Sequence, residues 1–269
     1  MSTPATIDVV IPVHNDAAGL PAAVHSALAQ TVCGTVWIVD DASTDDTPAV
    51  AAALAGSAAG RVRVETLPRN RGVALARNWG TLMSTNPLLA FLDADDRYAG
   101  PQVLEAARLA FQLHPELGLV RLAIHPRGLA AAYREHAGFA HAWRVMEMTG
   151  GGNLVSRRAV LLAAGGFPPD ALFRRLGGED GALSVGVQAR IRTGTLFDDP
   201  GVEHECAQGN HVIQLLDALL HGKQPAGVTD EAMRESNAVV QRIAAGLDAL
   251  HAVLGAPTGG ALPLQIDHA

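Results

Sequence analysis

An apolar run that ends abruptly in acidic residues is the first feature of this sequence that indicates chemistry. The run Leu89 to Leu92 is followed by Asp93, Asp95 and Asp96. This pattern is typical of a buried strand with acids at its carboxyl end, where open α/β sheets hold their ligands. Because close carboxylates repel one another and Mg²⁺ is usually held by a few carboxylates plus substrate phosphates, the segment predicts a site for a metal-bound nucleotide diphosphate. An acidic turn capping the helix predicted at Pro101 is the alternative.

Two other predicted strands also end in polar residues. The first strand leads into His14 and Asn15, and the second leads into Asp40 and Asp41. In a parallel sheet these ends share one rim, next to helix N-termini that favour anions. Such a rim suits a nucleobase, a ribose and a phosphate pair bridged by a divalent ion. For Asp40 and Asp41, an Asx turn at a helix entry is the alternative.

The elements that must position these residues alternate along the first half of the chain. Short β-branched runs and helical patterns predict βαβ units and an α/β fold, with a Rossmann-like, mainly parallel sheet flanked by helices. The predicted strands are Ile7 to Val13, Val36 to Val39, Val62 to Thr66, Leu88 to Leu92 and Leu117 to Leu122. Thr47 and Pro48 are typical of an N-cap and first-turn pair, and Pro101 opens another helix in the same way.

The second half has a looser pattern. A glycine run precedes a predicted strand at Asn153 to Ser156, and Arg158 to Ala164 is typical of a short helix. Helical stretches at His211 to His221 and Thr229 to Leu254 predict a helical C-terminal extension. We expect the Gly-Pro-rich tail from Gly255 to be frayed.

Composition excludes several classes of partner. The 269 residues carry a formal charge of -7 and no basic block, which disfavours nucleic acid. Cys33 and Cys206 lack metal-type spacing and fit a reducing compartment, so we expect a cytoplasmic protein. No apolar stretch has the length of a signal core or a membrane span, which predicts a protein that is soluble or peripherally attached to a membrane. The oligomeric state stays open.

Four motifs follow one another in the order and spacing of a known family. They are Val9 to Asn15, Val39 to Thr47, Asn70 to Gly80 and Phe91 to Asp96, joined further on by Gly151 to Arg158, Gly165 to Phe167 and Gly178 to Asp180. Together they resemble glycosyltransferase family 2 with a GT-A fold, over roughly residues 5–185. The resemblance implies metal-dependent, inverting transfer of a sugar from a nucleotide diphosphate sugar, expected to be UDP-linked, to a carbohydrate or other hydroxyl acceptor. It divides the chain into a nucleotide-sugar-binding half (1–125), an acceptor-binding and catalytic half of the same domain (126–200) and the helical extension (201–269).

The resemblance also implies roles for individual residues. It places Pro12, His14, Asn15, Asp40 and Asp41 at the nucleobase and ribose, and Arg71, Arg77 and Asn78 in the segment that closes over the base. Asp93, Ala94 and Asp95 match the Asp-x-Asp motif, in which the first acid faces the ribose and the last binds Mg²⁺ or Mn²⁺; His204 and His211 are candidates for a further metal contact. A surface ion pair is the alternative for Arg77, and a solvent-facing ring is the alternative for either histidine.

Glu179 and Asp180 match the acid pair that supplies the catalytic base, with Asp180 the usual carboxylate. An acceptor hydroxyl loses its proton as it attacks the anomeric carbon, and a nearby carboxylate can take that proton. Simple capping of the helix that follows Gly177 and Gly178 is the alternative.

Other functions compete with this one. After Asp180 the sequence is poor in acids and aromatics and no Gln-x-x-Arg-Trp motif follows, which favours single addition over processive synthesis. The same weakness leaves open a catalytically silent GT-A-like module that binds nucleotides and partners. The Gly- and Lys-rich phosphate loop that a nucleotidyltransferase needs is not found in this sequence. The Gly-x-Gly-x-x-Gly that follows the first strand of a Rossmann dehydrogenase is not found either.

Overall fold

Helices cover both faces of one large sheet in this chain, which the computed structural model describes over residues 6–206, 211–223, 225–254 and 259–266. The strands are β1 Ile7–Val13, β2 Cys33–Asp40, β3 Val62–Thr66, β4 Leu88–Phe91, β5 Arg97–Tyr98, β6 Leu117–Leu122, β7 Ile124–Arg127, β8 Leu154–Arg157, β9 Arg192–Leu196, β10 Val202–Glu205 and β11 Gly260–Pro263. The helices are α1 Leu20–Leu28, α2 Thr47–Ser57, α3 Val73–Met83, α4 Val103–Leu113, α5 Ala131–Arg134, α6 Phe139–Thr149, α7 Arg158–Ala164, α8 Ala171–Leu176, α9 Glu179–Gln188, α10 His211–His221, α11 Asp230–Gly246 and α12 Asp248–Leu254.

The large sheet has eight strands in the order β11-β9-β6-β8-β4-β1-β2-β3. Its pairs are parallel except those of β8, which runs antiparallel to both β4 and β6. Because β8 is reversed, its amino end lies at the same rim as the carboxyl ends of its neighbours. The segment that precedes β8 is therefore brought to the rim that carries the predicted site.

Two apolar layers hold the sheet between the helices. Every residue of β1 is buried, as expected for a central strand covered on both faces. On one face α1 buries Leu20, Ala23, Val24 and Ala27, which recur at helical spacing, and α2 and α4 join it. On the other face α3, α7, α8, α9 and α11 pack around Phe91, Phe167 and their neighbours.

A three-stranded sheet, ordered β5-β10-β7, adjoins the rim. A smaller apolar cluster beside it includes Ile124, Trp143 and Leu216, and joins β7 to α6 and α10. This second sheet matters for the site because β10 carries His204 and β5 directly follows Asp96.

The sequence predictions for the first half are confirmed with small shifts. β4 ends one residue early, at Phe91, and the helix predicted at Pro101 begins at Val103. Asp46 is the N-cap of α2, with Thr47 and Pro48 inside its first turn.

The expectation of a frayed tail is wrong for Gly260–Pro263, which pairs with β9 at the edge of the large sheet. The pairing adds main-chain hydrogen bonds that a composition argument does not see. Residues 255–258 and 267–269 of the tail lie outside the described residues. Throughout the described ranges, no helix combines the length and apolar character that crossing a bilayer requires.

Close packing of α3 on β1 generates a stability prediction. A Cβ added to Gly80 would lie 2.4 Å from Cγ1 of Val10, whereas one added to Gly56 in α2 would meet nothing within 4 Å. We expect Gly80→Ala to lower the free energy of unfolding by about 1–3 kcal/mol through overpacking. Gly56→Ala, the matched control, should raise it by up to about 1 kcal/mol because alanine favours the helix. Urea denaturation measures the free energy of unfolding of both variants. Equal effects would contradict close packing of Gly80 against Val10.

Candidate functional site

The carboxyl ends of β4, β1 and β2 lie side by side, since these three strands are neighbours in the parallel part of the sheet. This arrangement brings together the three polar strand ends predicted from the sequence. Pro12 is buried in β1 in register with Val39, and His14 is exposed just beyond the strand.

Asn15 links the first two strand ends. Its backbone has a positive φ of 55°, which asparagine tolerates better than most residues. Its backbone N–H donates to Ser43 Oγ at 2.9 Å, and its side-chain oxygen accepts from the backbone N–H of Thr44 at 2.7 Å. These hydrogen bonds therefore hold the loop after β1 against the loop after β2.

The acids after β2 are buried and bonded to backbone. Asp40 accepts from the N–H of Ser43 at 2.9 Å, which is the Asx-type turn considered as the alternative for this residue. Asp41 accepts from the N–H groups of Arg71 and Gly72, both at 2.7 Å. Asp41 thus fixes the N-terminus of α3, while the Arg71 residue is exposed beside it.

Arg77 joins two acid motifs that are far apart in the sequence. Its guanidinium lies 2.7 Å from Asp93 Oδ1 and 3.2 Å from Glu179 Oε1, and its side chain is only 4% exposed. It also lies over the ring of Phe167, 5.1 Å from the centroid. Burial opposes the charged form, but Asp93 and Glu179 outweigh it and raise the pKa of Arg77. The residue is therefore a buried bridge, and the surface ion pair considered for it is wrong.

Glycines allow this bridge to form. A Cβ at Gly151 would lie 2.5 Å from Cζ of Arg77, and a Cβ at Gly152 would lie 2.9 Å from Asp93 Oδ2. Only a residue without a side chain permits the backbone to approach this closely. The segment before β8 consequently forms one wall of the Arg77 site.

Asn78 binds the loop after α7. Its amide nitrogen donates to the backbone oxygen of Phe167 and its oxygen accepts from the Phe167 N–H, both at 2.8 Å. This pair of bonds holds Phe167 under Arg77. The assignment of Asn78 to the nucleobase stays a prediction, and the contact described here gives the residue a structural role.

The acids after β4 differ in exposure. Asp93 is half-buried, Asp95 is exposed and Asp96 is buried, with Ala94 buried between them. Partial desolvation and then the charges of Asp96 and Asp93 raise the pKa of Asp95 to about 6. The segment therefore holds an excess of negative charge that a cation would relieve.

Asp96, whose role the sequence left open, orients His204. The ring Nδ1 of His204 lies 3.0 and 2.9 Å from the two carboxylate oxygens of Asp96, which assigns the proton to Nδ1 and leaves Nε2 for a ligand. Burial raises the pKa of Asp96. Burial opposes protonation of His204, yet the bond to Asp96 prevails and raises the pKa of His204.

His211 begins α10, and its assignment to the metal stays a prediction. A Cβ at Gly177 would lie 2.8 Å from its ring, which places His211 against the loop before α9. Over the described ranges, no group of three or more His, Cys, Asp or Glu side chains is already arranged as a metal cage. A Mg²⁺ site completed by substrate phosphates needs fewer protein ligands than such a cage.

Glu179 and Asp180 open α9 directly after Gly178, whose φ of 90° favours glycine. Burial and then the charge of Asp180 raise the pKa of Glu179, although Arg77 opposes the shift. Asp180 is half-buried and accepts from the N–H of Gly181 at 2.8 Å. A shallow cleft lined by Arg71, Pro168 and Phe173 opens beside Glu179.

Sequence reasoning missed one buried residue of this site. Arg121 of β6 is fully buried and contacts α9 and the segment before β8. The signal was a cation in the otherwise apolar strand Leu117–Leu122, where a leucine or valine would satisfy the pattern.

Known proteins resemble this chain in sequence and in fold. The sequence model of glycosyl transferase family 2 matches residues 8–140. The succinoglycan biosynthesis protein ExoU of Rhizobium meliloti (strain 1021) is 41% identical over 95 residues, which are 35% of this chain and 28% of that protein. The match therefore spans less than a third of that relative's length.

Two solved structures have a similar fold. One is residues 1–349 of S. aureus TarS in complex with UDP, with a TM-score of 0.60 and 16% identity over 88% of this chain and 70% of that one. The other is mannosyltransferase PcManGT from Pyrobaculum calidifontis with GDP-Man and Mn²⁺, with a TM-score of 0.61 and 21% identity over 93% and 76%. These likenesses confirm the predicted GT-A fold.

The Arg77 bridge generates a second stability prediction. Arg77→Met leaves two carboxylates without their buried partner, and we expect the free energy of unfolding to fall by about 3–5 kcal/mol. Arg190→Met, which breaks the exposed pair of Arg190 with Asp248, is the matched control and should cost less than about 1 kcal/mol. Denaturant unfolding of both variants measures the difference; losses of the same size would show that burial of the bridge contributes nothing.

Proposed function

Since the chain belongs to glycosyl transferase family 2, whose sequence model matches residues 8–140, we propose that it transfers a sugar from a nucleotide diphosphate sugar to a hydroxyl acceptor, with inversion and with a divalent metal. UDP is the proposed carrier, as TarS binds UDP, and GDP is the alternative, as the Pyrobaculum mannosyltransferase binds GDP-Man. The acceptor is a carbohydrate or another hydroxyl compound.

One observation carries this proposal. Arg77 contacts both Asp93, of the Asp-x-Asp segment, and Glu179, beside the proposed base. A single guanidinium therefore spans the donor-binding acids and the acid pair of α9. That proximity is what in-line attack requires, because acceptor and donor must meet in one place.

In the proposed reaction Asp180 accepts the proton of the acceptor hydroxyl as its oxygen bonds to the anomeric carbon, and the bond to the nucleotide diphosphate breaks. Glu179, held by Arg77, keeps the first turn of α9 in place. Arg77 also orients Asp93 toward the ribose. Burial raises the pKa of Glu179 because it disfavours the charged carboxylate. This cost is consistent with a role for Glu179 in holding α9 in position.

The side chains available as metal ligands fit a divalent ion. Asp95 is exposed, has a raised pKa caused partly by neighbouring acids, and lies near His204, whose charge acts on it in turn. We propose that Asp95 and Nε2 of His204 hold the ion, with Asp96 fixing the histidine ring. When bound, the ion neutralises charge that develops on the leaving diphosphate. Asp41, Asn15 and the α3 N-terminus are proposed to bind the nucleoside.

Metal-dependent nucleotide binding tests the donor site. UDP or GDP with Mn²⁺ should raise the melting temperature more than either component alone. Because Asp95 must lose its proton to bind metal and its pKa is raised to about 6, the Mn²⁺-dependent increment should shrink as the pH falls from 7.5 to 5.

The Mn²⁺-dependent increment should disappear in Asp95→Asn and weaken in Asp96→Asn, where apparent metal affinity should fall about 10–100-fold. Asp248→Asn, on α12, is the control and should behave as wild type. An undiminished Mn²⁺ increment in Asp95→Asn would refute the metal assignment.

Release of nucleotide diphosphate tests catalysis. The wild-type chain should slowly hydrolyse one member of a panel of UDP-glucose, UDP-galactose, UDP-N-acetylglucosamine and GDP-mannose, with water replacing the acceptor. Asp180→Asn should lower kcat by about 10²–10⁴-fold while thermal protection by nucleotide persists. Asp230→Asn, exposed on α11, is the matched control. Nucleotide binding without turnover in the wild type would instead favour the catalytically silent module.

A further inference from the structure

Arg121 is the largest side chain in the fully buried part of the core, at 0% exposure. Across the described residues it forms no ion pair, and its Nε has no hydrogen-bond partner. Burial lowers the pKa of Arg121 to about 10, and the charge of Asp180 opposes that shift. The guanidinium therefore stays positive at neutral pH inside the protein.

Burying a cation without a directly paired anion is unfavourable, whereas a leucine at the same place would pack at little cost. β6 is otherwise apolar over Leu117–Leu122. This cost indicates that the polar contacts of Arg121 have a role beyond filling space in the core.

Those contacts join two segments of the candidate site. One terminal nitrogen, Nη1, donates to the backbone oxygen of Gly150 and to Asn153 Oδ1, the latter at 3.2 Å. The other, Nη2, donates to Ser184 Oγ in α9. Ser184 in turn donates to the backbone oxygen of Asp180 at 2.6 Å.

Each end of this connection reaches the proposed machinery. Gly151 and Gly152, between Gly150 and Asn153, lie against Arg77 and Asp93. At the other end, Ser184 Oγ accepts a hydrogen bond from Arg121 and donates one to the backbone oxygen of Asp180, in the first turn of α9. Arg121 thus ties the wall of the donor site to the helix that carries the proposed base.

We propose that Arg121 is a positioning residue for the transfer reaction: it fixes Asp180 relative to the donor by binding both Ser184 and the Gly150–Asn153 segment. The inference rests on the proposed function and adds to it a residue that touches neither donor nor acceptor. Arginine suits the task because its planar fork supplies donors in two directions at once, whereas lysine offers a single compact charge.

The test separates kcat from KM in the nucleotide-sugar hydrolysis assay. Arg121→Met should lower kcat about 10–100-fold, because a small displacement of the base has effects of that size, and should leave the donor KM within about twofold. Arg121→Lys should fall between wild type and Arg121→Met. Ser184→Ala, which keeps the cation and removes the connecting hydroxyl, should also lower kcat selectively.

Arg157→Met is the matched control. Arg157 is half-buried on β8, with Nε donating to the backbone oxygen of Leu117, and burial lowers its pKa as well. It lies at the opposite end of β8 from the Gly150–Asn153 segment. Its replacement should leave kcat unchanged, and protection by UDP or GDP confirms that each variant is folded.

The outcomes separate the two claims. Wild-type turnover with unchanged kcat in Arg121→Met, a loss confined to KM, or an equal loss in Arg157→Met would overturn the role of Arg121 and leave the proposed function standing. A wild-type chain that hydrolyses no donor would overturn the proposed function and this inference with it. If Arg121→Met does not fold, Ser184→Ala decides: normal kcat refutes the inference and selectively lowered kcat supports it.

Discussion

The buried guanidinium of Arg77 is the interaction on which the rest of the site depends. It binds Asp93 after β4 and Glu179 at the start of α9, two residues that are far apart in the sequence. Desolvating three charged groups is costly and is offset only when their geometry is good. Gly151 leaves space for the guanidinium, and the Phe167 ring lies beneath it. Asn78 holds Phe167 in that position through its hydrogen bonds.

Strand order explains why these groups meet. β4, β1 and β2 are adjacent and parallel, so their polar ends share a rim. The antiparallel insertion of β8 between β4 and β6 adds the glycine-rich segment Gly150–Gly152 to that rim. A parallel β8 would have sent this segment to the opposite end of the sheet. Two buried arginines, Arg77 and Arg121, approach the same segment from α3 and from β6.

Charge is distributed unequally over this rim. Arg77 compensates Asp93 and Glu179, and the cation of Arg121 lies close enough to Asp180 for their charges to interact. Asp95 is exposed beside further acids, and partial desolvation followed by the charges of Asp96 and Asp93 raises its pKa, so part of the repulsion there is not compensated. The protein therefore neutralises the acids near the proposed base with its own side chains, and the outer acids are those left for the proposed cation, which substrate phosphates would help to hold.

The sequence by itself determined the local parts: the strands that end in acids, the helices between them, the Asp-x-Asp segment and the Glu179–Asp180 pair. These follow from periodicity and from residue types at short spacing, which depend on neighbours along the chain. Only the tertiary structure decided that Arg77 faces Asp93 and Glu179, that Asp96 binds His204 while His211 lies against Gly177, that Arg121 is a buried cation of the site, and that Gly260–Pro263 joins the sheet. Each of these depends on contacts between residues distant in sequence, where the partner and not the residue type fixes the role, and local pattern carries no information about that partner.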